Sequence, residues 1–109
     1  MPEGRKKAER IAPSLCSRRR AEAALGGRLA KVVLFGSRAR GDSEADSDWD
    51  LAVFLTGPLA ENDRFVLSDA AYDILLETGQ FIQTIVFPVQ RESEDALLMR
   101  NIRSQGRSV

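Results

Sequence analysis

The chain has 109 residues, with 16 basic and 16 acidic residues and no net charge; this size suits one domain with a single core. Apolar residues make up 43% and charged residues 29%, which excludes a disordered or low-complexity chain. The single cysteine excludes an intrachain disulfide, and the lack of histidine excludes any triad or metal site that needs an imidazole from this chain. A metal would therefore need oxygen ligands, which favours Mg²⁺ or Mn²⁺.

Charge is sorted along the chain. Residues 1–40 carry a net charge of +8, residues 41–77 a net charge of −9 and residues 78–109 a net charge of +1. This pattern predicts either a site where acidic and basic groups meet or two solvated surfaces of opposite sign. No apolar run approaches the roughly 18 residues that span a bilayer, and the start lacks the apolar stretch of a signal peptide. We therefore expect a soluble, cytoplasmic protein without a membrane segment.

The N-terminal residues differ in composition from the rest. Residues 1–12 are charged and contain one large apolar residue, Ile11, so we expect a basic, frayed arm or loose helix that ends before Pro13. A single domain is predicted over residues 13–109. Its first element is a helix over residues 14–25, since Ser14 is a good cap residue and a Gly-Gly pair follows.

The following segments alternate between strand and helix patterns. Short apolar runs bounded by glycine or proline predict strands over residues 31–36, 50–55 and 81–87. Helical spacing predicts a helix over residues 62–78, with Gly79 as its left-handed C-terminal cap, and a short helix over about residues 92–101. The pattern predicts the α/β (α+β) class, a small mixed sheet with helices packed on it.

The stretch GSRARGDSEADSDWD, residues 36–50, follows the first predicted strand. Gly36 and Ser37 are suited to a tight turn, and a helix that begins at Ser37 would direct free amide groups at phosphate oxygens. The guanidinium groups of Arg38 and Arg40 would then lie beside the same phosphate. A simple turn is the structural alternative, because Gly-Ser commonly follows a strand without binding anything.

Asp48 and Asp50 open the second predicted strand. Because side chains alternate along a strand, both carboxylates should lie on one face, with Trp49 directed away from them into packing. Two neighbouring carboxylates repel each other, and Mg²⁺ together with nucleotide phosphates would relieve that repulsion. Taken alone, an aspartate such as Asp48 is more often an Asx-turn or strand-edge residue than a metal ligand. An EF-hand is excluded, because Leu51 and Gly57 occupy the positions that need glycine and glutamate.

Residues 34–55, LFGSRARGDSEADSDWDLAVFL, resemble the signature of the minimal nucleotidyltransferases of the DNA polymerase beta superfamily: Gly-Ser, about ten residues, then Asp-x-Asp. The resemblance implies the nucleotidyltransferase fold and a triphosphate held by Gly36 and Ser37. It also implies that Asp48 and Asp50 are catalytic and bind Mg²⁺ or Mn²⁺. The reaction would transfer a nucleoside monophosphate, such as AMP, from ATP or another nucleoside triphosphate. Stand-alone members are similar to antitoxins that accompany HEPN toxins, which implies a HEPN-like protein partner.

The third predicted strand departs from the family pattern. Active members carry a third carboxylate there, whereas FIQTIVF has Gln83 and Thr84 at its centre. Asp73 and Glu77, on the preceding helix, are the nearest acidic residues. Three interpretations follow: a weak enzyme, an antitoxin-like nucleotide-binding subunit without turnover, or a site completed by a partner chain. Nucleic-acid binding through the basic arm is less favoured, because the few aromatic residues give no evident stacking platform.

Overall fold

The computed structural model describes residues 3–44 and 47–109, and within these ranges it describes side chains from Pro13 onwards. The helices are α1 (Glu3–Leu25), α2 (Ser37–Arg40), α3 (Glu61–Thr78) and α4 (Leu97–Gln105). The strands are β1 (Leu29–Phe35), β2 (Trp49–Leu55), β3 (Ile82–Pro88) and β4 (Arg107–Ser108). Two 3₁₀ turns complete the chain, at Gly26–Arg28 and Val89–Ser93.

The four strands form one mixed sheet in the order β3-β2-β1-β4. Strand β1 is antiparallel to β2 and β4, whereas β2 and β3 run parallel. Parallel neighbours need a crossover connection, and α3 provides it. The predicted α/β class with a small mixed sheet is confirmed. The two-residue β4 was not predicted, because so short a strand leaves no apolar pattern.

Residues of the central strand β2 supply both faces of the core. One face packs against α1 and α3, and its buried residues include Leu51, Val53, Leu55, Leu67 and Ile74. The other face packs against α4, and its buried residues include Ala52, Phe54, Met99 and Ile102. Since apolar residues face both layers, residues 51–55 of β2 form a continuous apolar run rather than an alternating one.

Helix α1 runs from Glu3 to Leu25 and contains Pro13. The prediction that a helix ends before Pro13 is therefore wrong. Proline within a helix removes one backbone hydrogen bond and costs about 3 kcal/mol. The helix continues through Pro13 with one face, which includes Pro13, Ser14, Ser17 and Ala21, buried against the rest of the domain, and tertiary packing supplies most of the stability of helices in proteins.

The predicted arm over residues 1–12 is only partly described. Its first two residues and all of its side chains lie outside the described part of the chain, while the backbone from Glu3 onwards belongs to α1. The division into an arm and a domain over residues 13–109 therefore stays a prediction. Among residues 3–44 and 47–109, no helix combines the length and the apolar character needed to cross a bilayer.

The start of α3 is fixed by a carboxylate that the sequence pattern did not single out. Asp63 is buried and accepts hydrogen bonds from both terminal nitrogens of Arg28, at 2.6 and 2.9 Å, and from the backbone N–H of Ala60 at 2.7 Å. The hydrogen bonds from Arg28, followed by that from Ala60, lower the pKa of Asp63. This contact attaches α3 to the turn that precedes β1.

The predicted C-terminal cap of α3 is confirmed, whereas the predicted start of α4 is not. Gly79 caps α3 in the left-handed conformation, at φ 73°, and its N–H donates to the carbonyl of Leu75 at 2.8 Å, as predicted. Helix α4 begins at Leu97, later than the predicted start near residue 92. The reason is the 3₁₀ turn that precedes it, which Arg103 stabilises by donating to the carbonyl of Glu94 at 2.8 Å.

Candidate functional site

The turn after β1 depends on Gly36. Its φ of 75° and ψ of −159° lie in a region that residues with a Cβ avoid. The carbonyl of Gly36 accepts hydrogen bonds from the N–H groups of Ala39 and Arg40, both at 3.1 Å. The single helical turn α2 therefore begins at Ser37, as the sequence suggested, and its first amides are left outside the helical hydrogen bonds. The Ser37 hydroxyl makes no hydrogen bond to the described residues.

The carboxylate of Asp50 lies directly against this turn. A Cβ on Gly36 would overlap Oδ2 of Asp50 and would lie 3.3 Å from its Cγ. The sheet explains this proximity, because Asp50 pairs with Phe35, the last residue of β1, in the antiparallel register. The structure thus brings together the turn and one of the two predicted metal ligands, and only glycine at position 36 leaves room for both.

Asp48 precedes β2 and is exposed, whereas Trp49 between the two aspartates is only 4% exposed. Trp49 packs in the core under α1 and α3, and its indole N–H donates to Oε1 of Gln80 at 2.9 Å. The tryptophan is therefore directed into packing, as predicted. Because successive residues of a strand lie on opposite faces, Asp50 lies on the face of β2 away from α1 and α3.

The electrostatics of Asp50 reflect its crowded position. Burial is the main cause that raises the pKa of Asp50, and the nearby charge of Asp48 raises it further. The charge of Arg40 acts in the opposite direction and lowers the pKa. The two carboxylates thus concentrate negative charge at one place, and a divalent cation bound there would stabilise both of them.

The two predicted arginines have different surroundings. Arg38 donates to the carbonyl of Ser47 from Nε at 3.3 Å and from Nη2 at 3.0 Å, and its guanidinium lies 4.4 Å from the centre of the Trp49 ring. It therefore braces the loop that carries Asp48, a role that the sequence pattern did not reveal. Arg40 is exposed and forms an ion pair with Asp42 at 3.3 Å.

Gln83 occupies the position on β3 that pairs with Asp50 in the parallel register. Residues paired in this way lie on the same face of a sheet, so the Gln83 amide neighbours the acidic site. Asp73 and Glu77, considered above as substitutes for a third acid, are instead bound by Arg20 of α1, at 3.3 and 2.6 Å. Within residues 3–44 and 47–109 there is no group of three or more acidic, histidine or cysteine residues arranged to hold a metal ion.

Comparison with known proteins identifies the family. Residues 25–109 match the family described as polymerase beta, nucleotidyltransferase. This chain belongs to that nucleotidyltransferase family. A Methanocaldococcus jannaschii protein named as a putative protein adenylyltransferase is 33% identical over 88 residues, covering 74% of this chain and 78% of the relative.

Solved structures share the nucleotidyltransferase fold. A toxin–antitoxin crystal structure with AMP-PNP matches with a TM-score of 0.60 and 20% identity, over 84% of this chain and 68% of the other. A tri-AMPylated Shewanella oneidensis HEPN toxin in complex with the MNT antitoxin matches with a TM-score of 0.53 and 17% identity, over 88% and 70%. A Sulfolobus solfataricus protein named as a putative nucleotidyltransferase matches with a TM-score of 0.53 and 20% identity, over 88% and 84%. The resemblance to antitoxins paired with HEPN toxins is therefore borne out.

Nucleotidyltransferases of this family generally use a divalent metal. The donor chemistry here fits such an ion, because Asp48 and Asp50 provide two carboxylates and the charge of Asp48 raises the pKa of Asp50. Two carboxylates, water and nucleotide phosphates suit Mg²⁺. Gln83, beside them, offers only an amide oxygen, which is a weaker ligand for a hard cation and cannot accept a proton as a base.

Proposed function

We propose that this nucleotidyltransferase binds a Mg²⁺-bound nucleoside triphosphate, ATP or another, between the turn at residues 36–37 and the Asp48–Asp50 pair. The observation that carries the proposal is the contact between the Asp50 carboxylate and Gly36. This contact supports a site in which the free amides of the turn and the predicted metal-binding carboxylates act together, as phosphoryl-type transfer needs. ATP as substrate also implies a cytoplasmic setting.

In this proposal, different residues bind the phosphates and the metal ion. The amides of the α2 turn and the Ser37 hydroxyl hold phosphate oxygens, while Asp48 and Asp50 hold Mg²⁺ or Mn²⁺. The ion supplies neutralisation of phosphate charge when it is bound. Arg40, beside Asp50, adds a cation for the phosphates, and Arg38 acts mainly by fixing the loop before Asp48.

The reaction that we propose is transfer of AMP to a hydroxyl group of a partner protein. The acceptor oxygen forms a bond to the α-phosphorus, the bond between the α-phosphorus and its bridging oxygen breaks, pyrophosphate leaves, and the acceptor proton passes to water or a base. A HEPN-like protein is the proposed partner, because the solved structures that match this fold include a toxin–antitoxin complex with AMP-PNP and a complex of an AMPylated HEPN toxin with the MNT antitoxin.

A second candidate function is supported by Gln83. Because an amide replaces the acid expected beside Asp50, the chain could bind nucleotide and partner without transferring AMP. In that case it would act as an antitoxin-like subunit that neutralises its partner by forming a stable complex.

One experiment separates the two functions. The protein is mixed with a co-encoded HEPN-like protein, Mg²⁺ and ATP labelled on its α-phosphate, and both complex formation and label on the partner are measured. Transfer predicts label that disappears with Asp48→Asn. A stable complex without label supports the second function. Neither complex nor label, together with no binding of Mg²⁺-ATP in calorimetry, would contradict both.

A further inference from the structure

The free edge of β3 lacks the usual protection of an edge strand. β3 lies at one end of the sheet, and its seven residues, Ile82–Pro88, include no charged side chain. Exposed edges normally carry charges, prolines or bulges that prevent pairing with another chain. Here Pro88 blocks only the last position, so the rest of the strand is open to pairing.

A groove runs along this edge, between β3 and α3. Two adjoining cavities, of about 530 and 350 Å³, share Ser68 and Thr84 in their walls and together follow the strand from Ile82 to Val86. Tyr72 and Phe81, which line the larger cavity, are 59% and 53% exposed. Two aromatic side chains so exposed beside an open strand indicate a surface that another chain covers.

The two ends of the groove carry opposite charge. Asp48 lines the end near Ile82, whereas Arg64 lines the end near Val86. Neither side chain has an ion-pair partner among the described residues. A second copy paired antiparallel along β3 would place each Arg64 at the Asp48 end of the opposite groove. The surface is therefore complementary to itself under a two-fold rotation.

We propose that this groove is a homodimer interface, in which two β3 strands pair antiparallel, the two sheets become continuous, and the two α3 helices lie side by side. The occupant is a second copy of this chain, because the edge and the charges at its ends are self-complementary. Asp48 and Gln83 also line the groove, so the interface borders the candidate site. Arg64 of the second copy would supply a cation beside Asp48.

Sedimentation equilibrium over a wide range of protein concentration tests the proposal without any nucleotide. The 12.1 kDa chain should sediment as a dimer, and Tyr72→Glu combined with Phe81→Glu should weaken dimerisation by at least about tenfold. Leu97→Glu is the matched control, since Leu97 is 72% exposed but lies on α4. Hydrogen exchange should become slower along β3 as the concentration of wild-type protein rises.

A charge exchange tests the antiparallel arrangement itself. Arg64→Glu should weaken the dimer about threefold or more, and adding Asp48→Arg should restore it. The proposal is wrong if the wild type is a monomer at every concentration, or if its dimer is unaffected by the Tyr72 and Phe81 substitutions. If the two β3 strands paired in parallel, Arg64 would not lie near Asp48 of the other copy, and adding Asp48→Arg would not restore the dimer. Asp50→Asn should remove Mg²⁺-ATP binding and leave the dimer intact, which separates this proposal from the function proposed above.

Discussion

Asp50 and Gln83 occupy paired positions on the parallel strands β2 and β3. This pairing predicts that Gln83→Asp adds a third carboxylate to the face that already carries Asp50. We expect tighter Mg²⁺ binding and an increase of about tenfold or more in AMP transfer to the partner, since an acid can bind metal and accept a proton. Gln83 is exposed, so the fold should tolerate the change.

The measurement for Gln83→Asp is the rate of label transfer from ATP, together with calorimetry of Mg²⁺-ATP binding. Gln90→Asp, the same substitution at an exposed position in the turn after β3, is the control and should change neither quantity. If a correctly folded Gln83→Asp variant shows unchanged metal binding and unchanged transfer, position 83 is not where the third carboxylate is missing.

Gly36→Ala should damage both the fold and the site. Alanine at φ 75° and ψ −159° is strained by about 1–3 kcal/mol, and its Cβ would also overlap the Asp50 carboxylate. Gly57→Ala is a matched control, because Gly57 has φ 76° and no atom near the position of a Cβ. Chemical denaturation should show a smaller loss of stability for Gly57→Ala, and only Gly36→Ala should lose Mg²⁺-ATP binding. Equal effects of the two substitutions would contradict the contact.

Much of the site's arrangement could be predicted from the sequence, because it depends on local rules. Strand alternation placed Trp49 in the core, and the Gly-Ser turn after an apolar run predicted where α2 begins. The register that brings Asp50 against Gly36 could not be predicted, because it depends on how β1 and β2 pair across a loop. The guanidinium of Arg38 over the Trp49 ring was missed for the same reason.

The helix boundaries that were missed have a related cause. Pro13 indicates a helix end by local preference, yet α1 continues through it because its buried face packs on the rest of the domain. Asp63 belongs to an apolar helix pattern that gives no sign of a buried acid. Its partner, Arg28, is 35 residues away in the chain. Tertiary contacts of this kind leave no periodic signal in a single sequence.

Asp50→Asn should raise thermal stability at neutral pH when no metal is present. Burial and the charge of Asp48 raise the pKa of Asp50, so the folded state binds this proton more tightly than the unfolded state does. The ionised carboxylate therefore costs stability, and the full cost applies above the raised pKa. Thermal unfolding should show a higher Tm for the variant at pH 7, with the difference disappearing below about pH 4. A variant that is less stable at pH 7 would contradict the assignment.

Ser37→Ala should weaken Mg²⁺-ATP binding by about 1 kcal/mol, or roughly fivefold, the usual effect of losing one neutral hydrogen bond. Ser104→Ala, at an exposed position on α4, is the control. Calorimetry measures both affinities. An unchanged affinity for Ser37→Ala would count against a phosphate contact by its hydroxyl, though not against the amides of the same turn.

Asp63→Asn should make the fold less stable at neutral pH and remove part of its sensitivity to acid. The hydrogen bonds from Arg28, followed by that from Ala60, lower the pKa of Asp63. Its carboxylate therefore contributes stability above the ordinary aspartate pKa of about 3.9, and this contribution is lost as the pH falls through the lowered pKa. Thermal unfolding from pH 7 to acidic pH should show the two proteins converge only at the acidic end. Asp69→Asn, exposed on the same helix, should follow the wild type throughout; a curve for Asp63→Asn that also follows the wild type would mean that the contact with Arg28 does not stabilise the fold.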